Sequence, residues 1–175
     1  MEPLKVVVAG PVGAGKSTLI RTLSETEVVD TDALTSEDIG KPTTTVAMDY
    51  GTIHLGDQLL YLFGTPGQDR FDFMWDVLSE GALGLLLLIR GDKPEDFVPA
   101  RRLLDYLTSR HPVPYVIGVT RQDQPPVWGP EEVAPFFGVP LERVVGINAK
   151  DPQSAAKPLI RLVELIVAEE AASYD

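Results

Sequence analysis

The chain predicts an α/β fold built on a mostly parallel sheet, and three features of its 175 residues point there. Short apolar runs rich in β-branched residues alternate with segments of helical period. The first of those runs ends in a glycine-rich turn that opens into a helix. Leu83 to Ile89 and Val113 to Val119 lack the polar alternation of a half-exposed strand and read as central strands covered on both faces.

Taken in order, Leu4 to Ala9 (LKVVVA) is a buried strand by composition. Beyond it Leu19, Ile20 and Leu23 fall on one face of a helix starting near Lys16. Residues 25–45 are polar and without a clear period, so they read as a long loop, a kind that is commonly functional in compact domains. Val46 to Leu55 and Gln58 to Phe63 flank Gly56-Asp57 and predict a hairpin, although Gly-Asp is a weaker turn signal than Asp-Gly. Between the two central strands, Phe97, Ala100, Leu104 and Leu107 take helical spacing. Residues 124–140 hold five of the 15 prolines, which limits them to a loop and a short helix. Val144 to Ile147 is a shorter last strand, and Leu159, Leu162, Val163 and Ile166 stripe a C-terminal helix. No repeat and no second domain is visible, so residues 1–175 are expected to form one domain.

Composition excludes several functions. A net charge of −11 argues against an electrostatic grip on nucleic acid or anionic lipid. The absence of cysteine removes disulfides, thiolate metal sites and thioester or thioether lipid anchors. The longest apolar run, Ala82 to Ile89, is too short to span a bilayer. Met1-Glu2 is not a myristoylation start, and no basic segment precedes an apolar one. The expectation is a cytoplasmic protein with no direct membrane insertion. His54 and His111 are too few and too far apart in pattern for a metal site.

The strongest chemical signal is Gly10-Pro-Val-Gly-Ala-Gly-Lys16-Ser17, which fits the phosphate-binding loop G-x-x-x-x-G-K-[ST] with a strand before it and a helix after it. Its glycines let successive N–H groups turn toward phosphate oxygens, and the helix N-terminus adds its positive end. Gly13, Ala14, Gly15, Lys16, Ser17 and Thr18 form the expected phosphate-binding set. Lys16 reaches the β- and γ-phosphates, and the Ser17 hydroxyl ligates Mg²⁺.

With that loop near the start, and Gly64-Thr-Pro-Gly67-Gln68-Asp-Arg-Phe71 following a hairpin strand, the chain resembles the Ras-like small GTPases. Thr45-Val-Ala-Met-Asp49 and Phe63-Gly-Thr-Pro-Gly-Gln-Asp69 are similar to the bacterial branch, the MglA-type switches and conservon-type GTPases. The resemblance runs from Lys5 to about Val167. It implies a P-loop NTPase three-layer sandwich, with a six-stranded, mostly parallel sheet, one antiparallel edge strand, and helices on both faces. It also implies GTP and GDP as ligands, Mg²⁺ as cofactor, a Gly67 N–H on the γ-phosphate, and Gln68 positioning the attacking water beside Lys16. A threonine of the long loop completes the Mg²⁺ shell. Thr43, Thr44 and Thr45 are candidates, and setting Asp49-Tyr50 against the family's Asp-Phe selects Thr45, with Thr44 next.

Thr120-Arg121-Gln122-Asp123 stands where the resemblance implies the base-reading motif. There Asp123 accepts from guanine N1–H and N2–H₂. Arg121 lies along the purine face, and Thr120, shorter than the usual asparagine, is expected to lose the contacts that brace the loops. In Asn148-Ala149-Lys150, the Ala149 N–H meets guanine O6 and Lys150 covers the ring.

Three departures bear on turnover. Gly64 replaces an acid that orients a Mg²⁺-bound water, which predicts weaker retention of the ion but not its loss. Asp92 is a substitute acid to weigh against a helix-capping role. Val12 stands where a side chain crowds an incoming arginine finger, and no arginine lies between Arg21 and Arg70 to supply one in cis. Such a finger contributes about 10³–10⁵ in rate, so intrinsic hydrolysis is expected to be slow and left to a partner.

The expected function is a guanine-nucleotide switch read out through residues 31–45 and 64–80, where Phe71, Phe73 and Trp75 offer aromatic contacts. Partners implied by the resemblance are regulatory proteins, among them a roadblock-type activator, and an effector at the switch loops. The alternatives are a non-hydrolysing nucleotide-binding scaffold, supported by Gly64, and a small-molecule P-loop kinase, disfavoured because the long loop carries no arginine.

Overall fold

Alternation of apolar residues along the strands decides how the chain layers itself. The structure, a computed structural model, describes residues 4–24, 29–30, 49–64 and 80–173. On strand β1 (Leu4–Ala9), Val6 and Val8 join one hydrophobic cluster, while Val7 and Ala9 join another on the opposite face. Strand β5 (Gly84–Arg90) divides the same way, Leu86 and Leu88 against Leu85, Leu87 and Ile89.

Helices α1 (Lys16–Leu23) and α4 (Pro152–Ser173) cover the first face through Leu19, Ile20, Leu23, Leu159, Leu162 and Ile166. Helices α2 (Phe97–Arg110) and α3 (Pro130–Phe137) cover the second through Phe97, Ala100, Leu104, Leu107, Val133 and Phe137. Each fully buried aliphatic or aromatic side chain contributes about 1.5–3 kcal/mol, so both layers are firmly held.

The remaining strands are β2 (Val29–Asp30), β3 (Asp49–Leu55), β4 (Gln58–Gly64), β6 (Tyr115–Thr120) and β7 (Val144–Gly146), in one sheet of order β2-β3-β4-β1-β5-β6-β7. Strands β4, β1, β5, β6 and β7 run parallel, and β3 runs antiparallel to β4 through the expected turn at Gly56-Asp57. The three-layer α/β sandwich and its six expected strands are therefore present. The addition is β2, two residues inside the stretch read as loop, which pairs antiparallel with β3 and supplies partners to its outer edge. A strand this short carries no readable period. Strand β6 begins two residues later than the apolar run suggests, because Pro114 has no N–H to give; its carbonyl still accepts from Leu85 at 3.0 Å.

This topology positions the site. Strand β1 has β4 on one side and β5 on the other, so connections leave its carboxyl end toward opposite halves of the sheet. A crevice opens at such a switch point, and the loops after β1, β5, β6 and β7 meet there.

Candidate functional site

The phosphate loop leaves β1 where only a residue without a side chain fits. A Cβ on Gly10 would lie 2.3 Å from the Leu88 carbonyl oxygen, and its φ of 152° is itself closed to most residues. The loop then turns through an Ala14 N–H to Pro11 carbonyl bond of 3.1 Å and enters α1 at Gly15, whose φ is 105°. The N-cap of α1 is Gly15, so no side chain caps the helix. Lys16 bends back over the loop, its Nζ donating to the carbonyls of Gly10 and, at 3.3 Å, Pro11. Ser17 and Thr18 are exposed on the same turn, and Val12 is 65% exposed on the loop.

Beside the loop lies an open cleft of about 370 Å³, lined by Ala14, Gly15 and Thr18 on one wall and by residues of the loops after β6 and β7 on the other. Those residues are Thr120, Arg121, Asp123, Gln124, Asn148, Ala149 and Lys150. The fold thus gathers three segments of the sequence into one cleft with two cations and one acid on its far wall.

Thr120 corrects an expectation. It is buried, with 2% exposure, and its hydroxyl lies 3.3 Å from the Ala14 carbonyl and 3.2 Å from that of Ile89. The shorter side chain does brace the loops, reaching carbonyls of both, while the φ of 105° at Gly15 is what favours glycine there. Next to it, Arg121 takes φ 68°, a left-handed conformation uncommon outside glycine, and its carbonyl accepts from Gln124 N–H at 3.0 Å. That tight turn carries Asp123 into the open.

In the loop after β7, Asn148 Oδ1 accepts from the Lys150 N–H at 3.1 Å, and the Asn148 N–H donates to Ser154 Oγ at 2.8 Å. Asp151 caps the start of α4, accepting from Gln153 N–H at 3.1 Å. Ser154 and Gln124 were not foreseen. Gln124 sits one residue past the Thr120–Asp123 stretch, and Ser154 is a hydroxyl in the first turn of a helix, each too ordinary a signal in a single sequence.

Gly67, Gln68 and Thr45, with Thr43, Thr44, Phe71, Phe73 and Trp75, lie outside the described residues. Gly64 ends β4, buried and paired with Val8. Asp92 does not replace the missing acid, nor does it cap the following turn. Both its oxygens take bonds from Arg90, at 2.9 and 2.8 Å, and it is absent from the cleft wall. That bonded guanidinium holds the Asp92 carboxyl below its ordinary range, and the carboxylate in turn raises Arg90. Among the described residues no group of acidic or histidine side chains is arranged for a metal ion, and no helix is long and apolar enough to cross a membrane.

Comparison with known proteins adds a family. The model of a family described as a conserved hypothetical ATP binding protein matches residues 26–134. An uncharacterized protein of Methanocaldococcus jannaschii is 33% identical over 128 residues, which cover 70% of this chain and 72% of its own length. These matches overturn the resemblance to the Ras-like small GTPases. The physical reason is that a strand, a phosphate loop and a helix serve many nucleotide-binding proteins alike, so motifs of that kind report the ligand's phosphates before they report a family. The departures at Gly64 and Thr120 fall within the matched residues.

Proposed function

Because this chain belongs to the family of conserved hypothetical ATP-binding proteins, and so to a nucleotide-binding family, we propose that it is a slow nucleoside triphosphatase whose cleft takes guanine and whose output is read by partner proteins. The observation that supports guanine is the cleft wall itself: Asp123, on an exposed turn, lines the cleft together with Arg121, Ala149 and Lys150, and Ala14, Gly15 and Thr18 of the glycine-rich loop and α1 line it too. A carboxylate there accepts two hydrogen bonds from guanine N1–H and N2–H₂. Adenine would offer its N1 lone pair to the same oxygens, and a site built for donors discriminates strongly against a ligand lacking them.

In hydrolysis, a water oxygen bonds to the γ-phosphorus as the bond to the β–γ bridging oxygen breaks, giving the diphosphate and inorganic phosphate. The chain's contribution is positioning and charge. Lys16 would exchange the carbonyls of Gly10 and Pro11 for phosphate oxygens, and Gln68 would hold the water. Mg²⁺ fits the donor set as an ion held mainly by phosphate and water, with the exposed Ser17 hydroxyl and Thr45 as protein ligands; bound there it would neutralise phosphate charge. Gly64 supports a second reading, a nucleotide-binding scaffold without turnover, since that strand end brings no carboxylate toward the ion.

The test is a calorimetric titration of the nucleotide-stripped chain with GDP, GTP and ADP, with and without Mg²⁺, followed by phosphate release. Expected are guanine selectivity, tighter binding with Mg²⁺ and slow release of phosphate. A preference for ADP would refute the guanine reading, and guanine binding without any release would leave the scaffold. Asp123→Asn, which can donate to an oxygen at C2, should move the preference from guanine to xanthine nucleotides.

A further inference from the structure

Between the cleft-lining residues Arg121 and Asp123 sits a residue that does not line the cleft. Gln122 Nε2 donates to the Trp128 carbonyl at 2.9 Å and, at the longer 3.5 Å, to that of Thr120. Its own backbone N–H donates to Ile147 at 3.3 Å. Glycines make room for the side chain. A Cβ on Gly91 would lie 2.9 Å from Nε2 and 2.7 Å from the Trp128 carbonyl oxygen, and one on Gly146 would lie 3.1 Å from Cγ. The same corner is tied by Trp128 N–H to Gly91 at 2.9 Å and by Gly91 N–H to Thr120 at 3.1 Å. Both ends of the 120–128 loop are therefore fastened through one side chain and one glycine, while Asp123 to Pro126 stand exposed beyond them.

We propose that Gln122 is a positioning residue for base selection: its amide clamps the 120–128 loop from behind and thereby sets where Asp123 meets the base. The inference rests on the reading of Asp123 as the base reader. Without that amide the loop keeps its backbone ties at Gly91, Trp128 and Ile147 but loses the side-chain bond between its two ends, and drift of an exposed carboxylate carried on it loses discrimination before it loses phosphate binding.

The experiment compares the intact chain with Gln122→Ala and Gln122→Glu for GDP and ADP affinity, each also in an Asp123→Ala background. Glutamate keeps the shape, but its carboxylate cannot donate and instead faces two carbonyl oxygens. Both single variants are expected to reduce the GDP-to-ADP affinity ratio about tenfold, with a smaller change in ADP affinity. In the Asp123→Ala background neither should change that ratio further. Fluorescence of Trp128 in a Trp75→Phe background reports the clamp without any nucleotide, and should shift with Gln122→Glu. Equal losses of GDP and ADP affinity, or an unchanged ratio, would overturn the proposal and leave Gln122 as packing. If the unmutated chain shows no guanine preference, the base reading fails and the proposal falls with it. A fluorescence shift would then show the clamp to be real but unrelated to the base.

Discussion

One hydroxyl links the two halves of the cleft. Thr120 approaches carbonyls 106 and 31 residues away in sequence, one on the phosphate loop and one at the end of β5. Removing that hydroxyl takes away the one hydrogen bond it can donate to these carbonyls, at a cost of about 0.5–1.5 kcal/mol. Thr120→Val, nearly the same shape, should lose that much stability in urea unfolding and release bound nucleotide faster. Thr120→Ser should keep most of both. An unchanged unfolding midpoint in the valine variant would mean that the hydroxyl braces nothing. A local reading of Thr120 sees only a residue shorter than asparagine, and that is why its role was misjudged from sequence.

At the scale of elements, the phosphate loop is only as well placed as the helix behind it. Helix α1 lies so close to β3 that a Cβ on Gly51 would stand 2.8 Å from Ser24 Oγ and 2.9 Å from Ile20 Cγ2. Gly51→Val must therefore displace the Ile20 and Ser24 side chains, and is expected to shift α1 against the sheet. Overpacking of this kind costs about 1–3 kcal/mol, and here it also tilts the helix N-terminus that faces the phosphates. A lowered thermal midpoint together with weaker GDP binding is expected. Weaker stability with unchanged affinity would show that the loop is set independently of α1. The helix itself was legible, because Leu19, Ile20 and Leu23 repeat at its period and all three are buried. Its closeness to β3 was not, since Gly51 looks like any strand glycine until its neighbours are known.

For the whole molecule, 26 acidic against 15 basic residues leave a net charge of −11, which repels itself in the folded state. Yet Arg121 and Lys150 stand together at the cleft, with Lys16 on the adjoining loop, so the site is locally cationic within an acidic protein. Added salt screens that repulsion over a Debye length of about 10 Å at 0.1 M. The thermal midpoint of the nucleotide-free chain should rise as salt is raised through that concentration. A falling midpoint would mean that ion pairs such as Arg90–Asp92 outweigh the net charge.

The sequence by itself determined the alternation of strands and helices and the glycine-rich turn between β1 and α1, because each of these is written in neighbouring residues: a period of two or of 3.6, or a fixed spacing of glycines before a lysine. Tertiary structure alone decided that β1 stands between β4 and β5, that the loops at 10–18, 120–124 and 148–150 share one cleft, and that Thr120 and Gln122 hold it in shape. Those facts depend on contacts between residues far apart in the chain, which no local pattern records. They arise only when buried strands pair and the glycines at 10 and 91 let backbones approach closely.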